Sequence, residues 1–160
     1  MATLKLLAVA INTQRMGCVF FAGHELKDWR AMTKPTRSQS DAAEALQRLI
    51  NNFAPDVVVT QQHRSVQGKR FHNKDLRAAL NRTAAQNFVL DVTIERPREF
   101  ANKYEEASAL AELYPELRHE VPPARRSFAH QPARLILFDA LALAHQVLQR
   151  PTQQLAAAMG

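Results

Sequence analysis

Apolar positions near the N-terminus come in short runs, and later ones recur at helical spacing. Leu4–Ile11 is a nearly continuous apolar run, broken only by Lys5, and reads as a buried strand. Asn12–Arg15 is a turn, and Met16–Phe21 is a second run rich in β-branched and aromatic residues. Ala22-Gly23-His24 ends it, and Glu25–Met32 can form a third strand, which predicts an antiparallel meander. Thr33–Ser40 is a polar loop. Asp41 and Glu44 have capping-box spacing, and Leu46, Leu49, Ile50 and Phe53 form one stripe, so residues 41–53 predict an amphipathic helix.

After the Pro55-Asp56 turn, Val57–Thr60 is a short buried strand. A helical pattern runs from about Asn73 to Gln86, and Phe88–Ile94 reads as a strand ended by Pro97. Tyr104–Leu113 is helical up to Pro115. Pro132 can open a last helix reaching about Leu148, before Pro151. The order is βββ-α-β-α-β-α-α. With right-handed crossovers it predicts an α/β fold, a mixed five-stranded sheet with helices on both faces. Residues 1–149 form one domain on this reading, and the Gln- and Ala-rich residues 150–160 a frayed tail.

Composition narrows the class. The chain has 160 residues, 46% of them hydrophobic, which suits one domain with a proper core. No apolar run approaches the ~20 residues that span a bilayer, and the N-terminus lacks a signal-peptide pattern. No membrane partner is expected, and the location implied is cytoplasmic. Cys18 stands alone in an apolar run, so it reads as a small core residue with no internal disulfide.

The net charge of +6 changes the picture through its distribution. Arg64, Lys69, Arg70, Lys74, Arg77 and Arg82 face a single acid, Asp75. This stripe is a solvated face or a phosphate-binding surface for DNA or RNA. Phe71 could stack on an unpaired base, or begin the core face of the next helix with Leu76 and Leu80. Arg125, Arg126 and Arg134 precede the last helix and can extend the same basic rim. Residues 95–120 hold the opposite run, from Glu95 to Glu120, most simply a solvated helix face.

Asp139 carries the most chemical information. It is the sole polar group in Leu135–Ala144 and shares a helical face with Ile136, Ala142 and Leu143. A carboxylate there is costly unless a metal, a basic side chain or a catalytic cleft offsets its burial, or unless it is partly exposed or caps the helix. The six histidines show no i, i+4 zinc spacing. His63 and His72 flank the basic stripe, and His145 suits the C-terminal dipole of the last helix. Ser108 and Ser127 lack a nucleophile-elbow context, and no Gly-rich phosphate loop exists.

Three segments carry a resemblance: Ala8-Val9-Ala10-Ile11-Asn12, Pro55–Gln61, and Ile136-Leu137-Phe138-Asp139-Ala140-Leu141-Ala142. In position and pattern they resemble the ribonuclease H-like superfamily, and within it the RuvC-type Holliday junction resolvases. The resemblance implies metal-dependent phosphodiester hydrolysis with carboxylates at positions 12, 61, 136 and 139. This chain has Asn12, Gln61, Ile136 and Asp139. Asn12 and Gln61 are open to three readings: drift after loss of activity, amide replacements made to trap an inactive complex, or ordinary turn residues.

The leading expectation is a catalytically degenerate domain that binds nucleic acid or a protein partner, with no resident cofactor. The alternative is a divergent nuclease using Mg²⁺ or Mn²⁺, with Asp139, Asp91 and Glu95 as its acids. A structural or interaction module is the third. A homodimer is compatible with each.

Overall fold

The computed structural model describes residues 3–12, 15–61, 71–87, 89–94, 103–121 and 135–149. At residues 34, 35, 71–74, 90, 91, 93, 94 and 103 it describes the backbone alone. Strands β1 (Lys5–Ile11), β2 (Met16–Ala22) and β3 (Glu25–Met32) form the meander. Helix α1 (Gln39–Phe53) leads into β4 (Val57–Gln61), and α2 (Phe71–Ala85) into β5 (Leu90–Ile94). Helices α3 (Lys103–Leu113) and α4 (Leu135–Gln149) follow. The strands lie in the order β3-β2-β1-β4-β5, with β4 parallel to both β1 and β5.

Side-chain alternation along β1 explains why its sequence is apolar almost throughout. Leu6, Ala8 and Ala10 face α3 and α4, together with Val19, Phe21, Val57, Val59 and Val92. Leu7, Val9 and Ile11 face α1 and α2, together with Met16, Cys18 and Val58. A strand covered on both faces loses the polar half of its alternation. Cys18 is buried, as its surroundings in sequence suggested.

Several boundaries differ from the sequence reading. Helix α1 starts two residues earlier, because Ser38 rather than Asp41 is its cap: Ser38 Oγ accepts from the Asp41 N–H at 3.0 Å. Asp41 instead sits in the first turn, where the helix dipole favours it. Ala54, in left-handed backbone at φ 45°, closes the helix with its N–H on Ile50 O at 2.9 Å. The polar loop before α1 contains a 3-10 turn at Lys34–Arg37, and β5 begins at Leu90.

The acidic run also differs in part. Glu105, Glu112 and Glu116 are exposed, but Glu120 is buried in a 3-10 turn at Pro115–Glu120. Its Oε1 lies 3.0 Å from His119 Nε2. Residues 150–160 lie outside the described residues. Among the described residues no helix is long and apolar enough to cross a membrane.

Helix α4 runs back along β1. Near its start, Ile136 abuts Gly17, which pairs with Ala10 towards the end of β1. Near its other end, His145 Nδ1 lies 2.8 Å from the Tyr114 hydroxyl. The Tyr114 ring meets Phe21 edge-on at 5.5 Å, and Phe21 pairs with Leu6. The first turns of α4 therefore cover the C-terminal end of the parallel strands.

Candidate functional site

That end of the sheet carries positions 12 and 61, two of the four at which the resemblance implies carboxylates. Asn12 is the residue after β1, two beyond Ala10 on the α4 face. Gln61 ends β4, two beyond Val59 on the same face, and is half-buried. Ile136 and Asp139 sit three residues apart on α4, both buried. Positions 12 and 61 thus share a face and an end of the sheet with the start of α4.

Each neutral residue has its own local setting. Asn12 closes its turn twice: its N–H donates to Arg15 O at 2.9 Å, and its Oδ1 accepts from the Arg15 N–H at 2.8 Å. The side chain thus acts as an Asx-type staple. Ile136 is seated where β2 lacks a side chain. A methyl group on Gly17 would stand 2.6 Å from Ile136 O and 3.0 Å from its Cγ2, closer than real contacts allow. Gly17 is therefore what admits α4 to the sheet, a role not visible in the sequence. Asp139 is 6% exposed and has an interaction partner in the fold.

Of the alternative acids, the backbone of Asp91 is described. Asp91 pairs in register with Val58, which packs on the α1–α2 face, while its neighbour Val92 packs on the α4 face. Position 91 therefore has the opposite parity from positions 12 and 61. Glu95 lies outside the described residues. Among the described residues no group of three His, Cys, Asp or Glu side chains is placed to hold a metal.

Of the basic positions, Arg77 is half-buried on α2 and has an interaction partner. Arg64, Lys69, Arg70, Arg125, Arg126 and Arg134 lie outside the described residues. So do His63 and the side chains of Phe71, His72 and Lys74. Leu76 and Leu80 are buried in the α1–α2 core, as expected. Thr60 Oγ1 donates to Asn81 Oδ1 at 2.8 Å, tying the end of β4 to the last third of α2. About ten residues of α2, or about 15 Å, precede that tie on the side where the chain leaves β4.

At the opposite end of α4, an open depression is lined by His24, Glu25, Leu26, Leu113, Tyr114 and Glu116. Burial, and secondarily Glu116, raises the Tyr114 pKa above the ordinary phenol value. The sequence reading assigned His145 only to the helix dipole and missed this Tyr–His pair, because the two residues are 31 positions apart.

No protein-family model and no curated protein matches the chain. Solved structures do. Thermus thermophilus RuvC in complex with a Holliday junction substrate matches at TM-score 0.63 and 15% identity, over 94% of this chain and 98% of that one. The fold is that of the RuvC-type resolvases. A fowlpox virus resolvase in complex with Holliday junction DNA matches at TM-score 0.59 and 10% identity, over 91% and 97% of the two chains. The yeast mitochondrial Holliday junction resolvase Ydc2 matches at TM-score 0.52 and 14% identity, over 98% and 82%. The ribonuclease H-like, RuvC-type architecture expected from the three sequence segments is thereby borne out.

The RuvC resemblance implies two Mg²⁺ or Mn²⁺ ions, and the residues at positions 12, 61, 136 and 139 do not fit them. Mg²⁺ favours anionic oxygen ligands in near-octahedral geometry. The set offers one carboxylate, two amides and an isoleucine, and the Asn12 amide oxygen already accepts the Arg15 N–H.

Proposed function

We propose that this chain is a catalytically degenerate RuvC-like domain that binds nucleic acid at the C-terminal end of its sheet without cleaving it. The observation that carries the reading is the engagement of Asn12 and Ile136 in the fold. Where the resemblance expects acids, one side chain staples a turn and the other packs against Gly17. Neither retains the charge that two divalent ions require.

Topology supports the binding half. The segment with Arg64, Lys69 and Arg70 leaves the sheet at Gln61 and returns at Phe71, ahead of Lys74 and Arg77. The segment with Arg125 and Arg126 enters α4 at Leu135. Both basic segments thus join described elements at one end of the sheet. Two of the matching structures hold Holliday junction DNA.

Fluorescence anisotropy on duplex, single-stranded and four-way DNA at several salt concentrations tests this. With about four phosphates engaged, log K on duplex falls with log salt at a slope of roughly −3 to −4, and Arg70→Ala with Lys74→Ala flattens it by about 2. No binding at low salt would overturn the reading in favour of a protein-interaction or structural module. Robust Mg²⁺- or Mn²⁺-dependent cleavage, lost in Asp139→Asn, would favour the divergent nuclease. The parity of position 91 stands against Asp91 as that nuclease's second acid.

A further inference from the structure

We propose that Asn12 is a positioning residue for Arg15, and that Arg15 is a phosphate-binding cation at the mouth of the candidate site. This rests on the nucleic-acid-binding reading above and adds a residue to its interface. Arg15 follows the turn after β1 and precedes Met16, which pairs with Ile11 at the site end of the sheet. Two hydrogen bonds with Asn12, at 2.9 and 2.8 Å, hold the Arg15 backbone on both sides of its Cα. A cation held by a closed turn loses less freedom on meeting a phosphate than one on an unrestrained loop.

Among the described residues, no group claims the Arg15 guanidinium. Arg30 pairs with Asp28 and lies over the Phe53 ring, Arg48 pairs with Glu44, and Arg82 donates to Gln39. The half-buried Arg15 makes no ion pair or side-chain hydrogen bond with a described residue. The buried carboxylate of this region, Asp139, has an interaction partner of its own in the fold. A guanidinium is suited to bidentate phosphate contact, and Arg15 stands where β1 turns into β2, at the end of the sheet that the start of α4 covers. On this account an amide at position 12 has a task of its own, in place of a ligand's.

The test is a salt titration on duplex and four-way DNA with wild type, Arg15→Ala, Asn12→Ala, the double variant, and Arg48→Ala as an exposed-cation control. Circular dichroism melting is run on each. Arg15→Ala is expected to flatten the slope by about 0.9 and weaken binding about eightfold at about 0.1 M salt. Asn12→Ala is expected to weaken binding without flattening the slope fully, and the double variant to bind no worse than Arg15→Ala. Arg48→Ala is expected to leave the slope unchanged. An unchanged slope in Arg15→Ala, alongside a flattened one in Arg70→Ala with Lys74→Ala, would overturn this inference and leave the binding reading standing. Additive losses in the double variant would overturn the positioning role of Asn12. Absence of wild-type binding at about 50 mM salt would overturn the binding reading and the inference with it.

Discussion

The two faces of the sheet bury their polar groups by different means. Among the described residues of the α1–α2 face, hydroxyls and amides are satisfied at short range: Thr60 donates to Asn81, Thr83 to Ala79 O, and Gln47 and Asn87 exchange amide bonds. On the α3–α4 face the buried polar residues are the carboxylates Asp139 and Glu120. A buried carboxylate costs far more than a buried hydroxyl unless it is paired. Asp139 and Glu120 both have interaction partners in the fold. Among the fully buried described residues, the carboxylates lie on the α4 side and the α1–α2 face holds neutral groups.

The sharpest way to break that contrast is to add a third carboxylate where the fold now holds an apolar contact. Ile136→Asp is expected to cost about 3–5 kcal/mol at neutral pH, the penalty of an uncompensated buried charge, read by urea denaturation. In Asn12→Asp/Gln61→Glu/Ile136→Asp, Mn²⁺ is expected to raise the melting temperature, with no such rise in wild type. A smaller perturbation of the same face is Gly17→Ala. Its methyl meets the Ile136 backbone, and the expected loss is about 1–3 kcal/mol with α4 displaced.

On the α1–α2 face Thr60→Val removes one neutral hydrogen bond. The expected cost is about 1 kcal/mol, and DNA affinity of the folded fraction should not change. The smallest effect concerns Cys18. Burial pushes its thiol up to about 12, with Arg30 opposing. A pKa raised in the folded state means that this contribution to stability is complete below the ordinary thiol range and is lost as pH rises towards about 12. Thiol labelling at pH about 8 is therefore expected to proceed only through unfolding, at the rate of the denaturant-extrapolated opening.

Most elements were legible because each rests on local pattern. The Leu4–Ile11 run, the stripe Leu46-Leu49-Ile50-Phe53 and the apolar Leu135–Ala144 segment specify strand or helix by period alone. The cap of α1 was misassigned because Ser38 and Asp41 both suit a helix start, and the choice depends on which residue's backbone leaves the helix.

The site was legible only as positions. The sequence by itself determined that Asn12, Gln61 and Ile136 are neutral and that Asp139 is an acid on an apolar helix. Tertiary structure decided what these residues touch. That Gly17 lies under Ile136, that Tyr114 meets His145, and that Glu120 is buried all depend on distant segments packed together. Period and composition report which face of an element is buried. They carry no record of which residue waits on the other side, because that is set by strand order, register and the close approach a missing side chain permits.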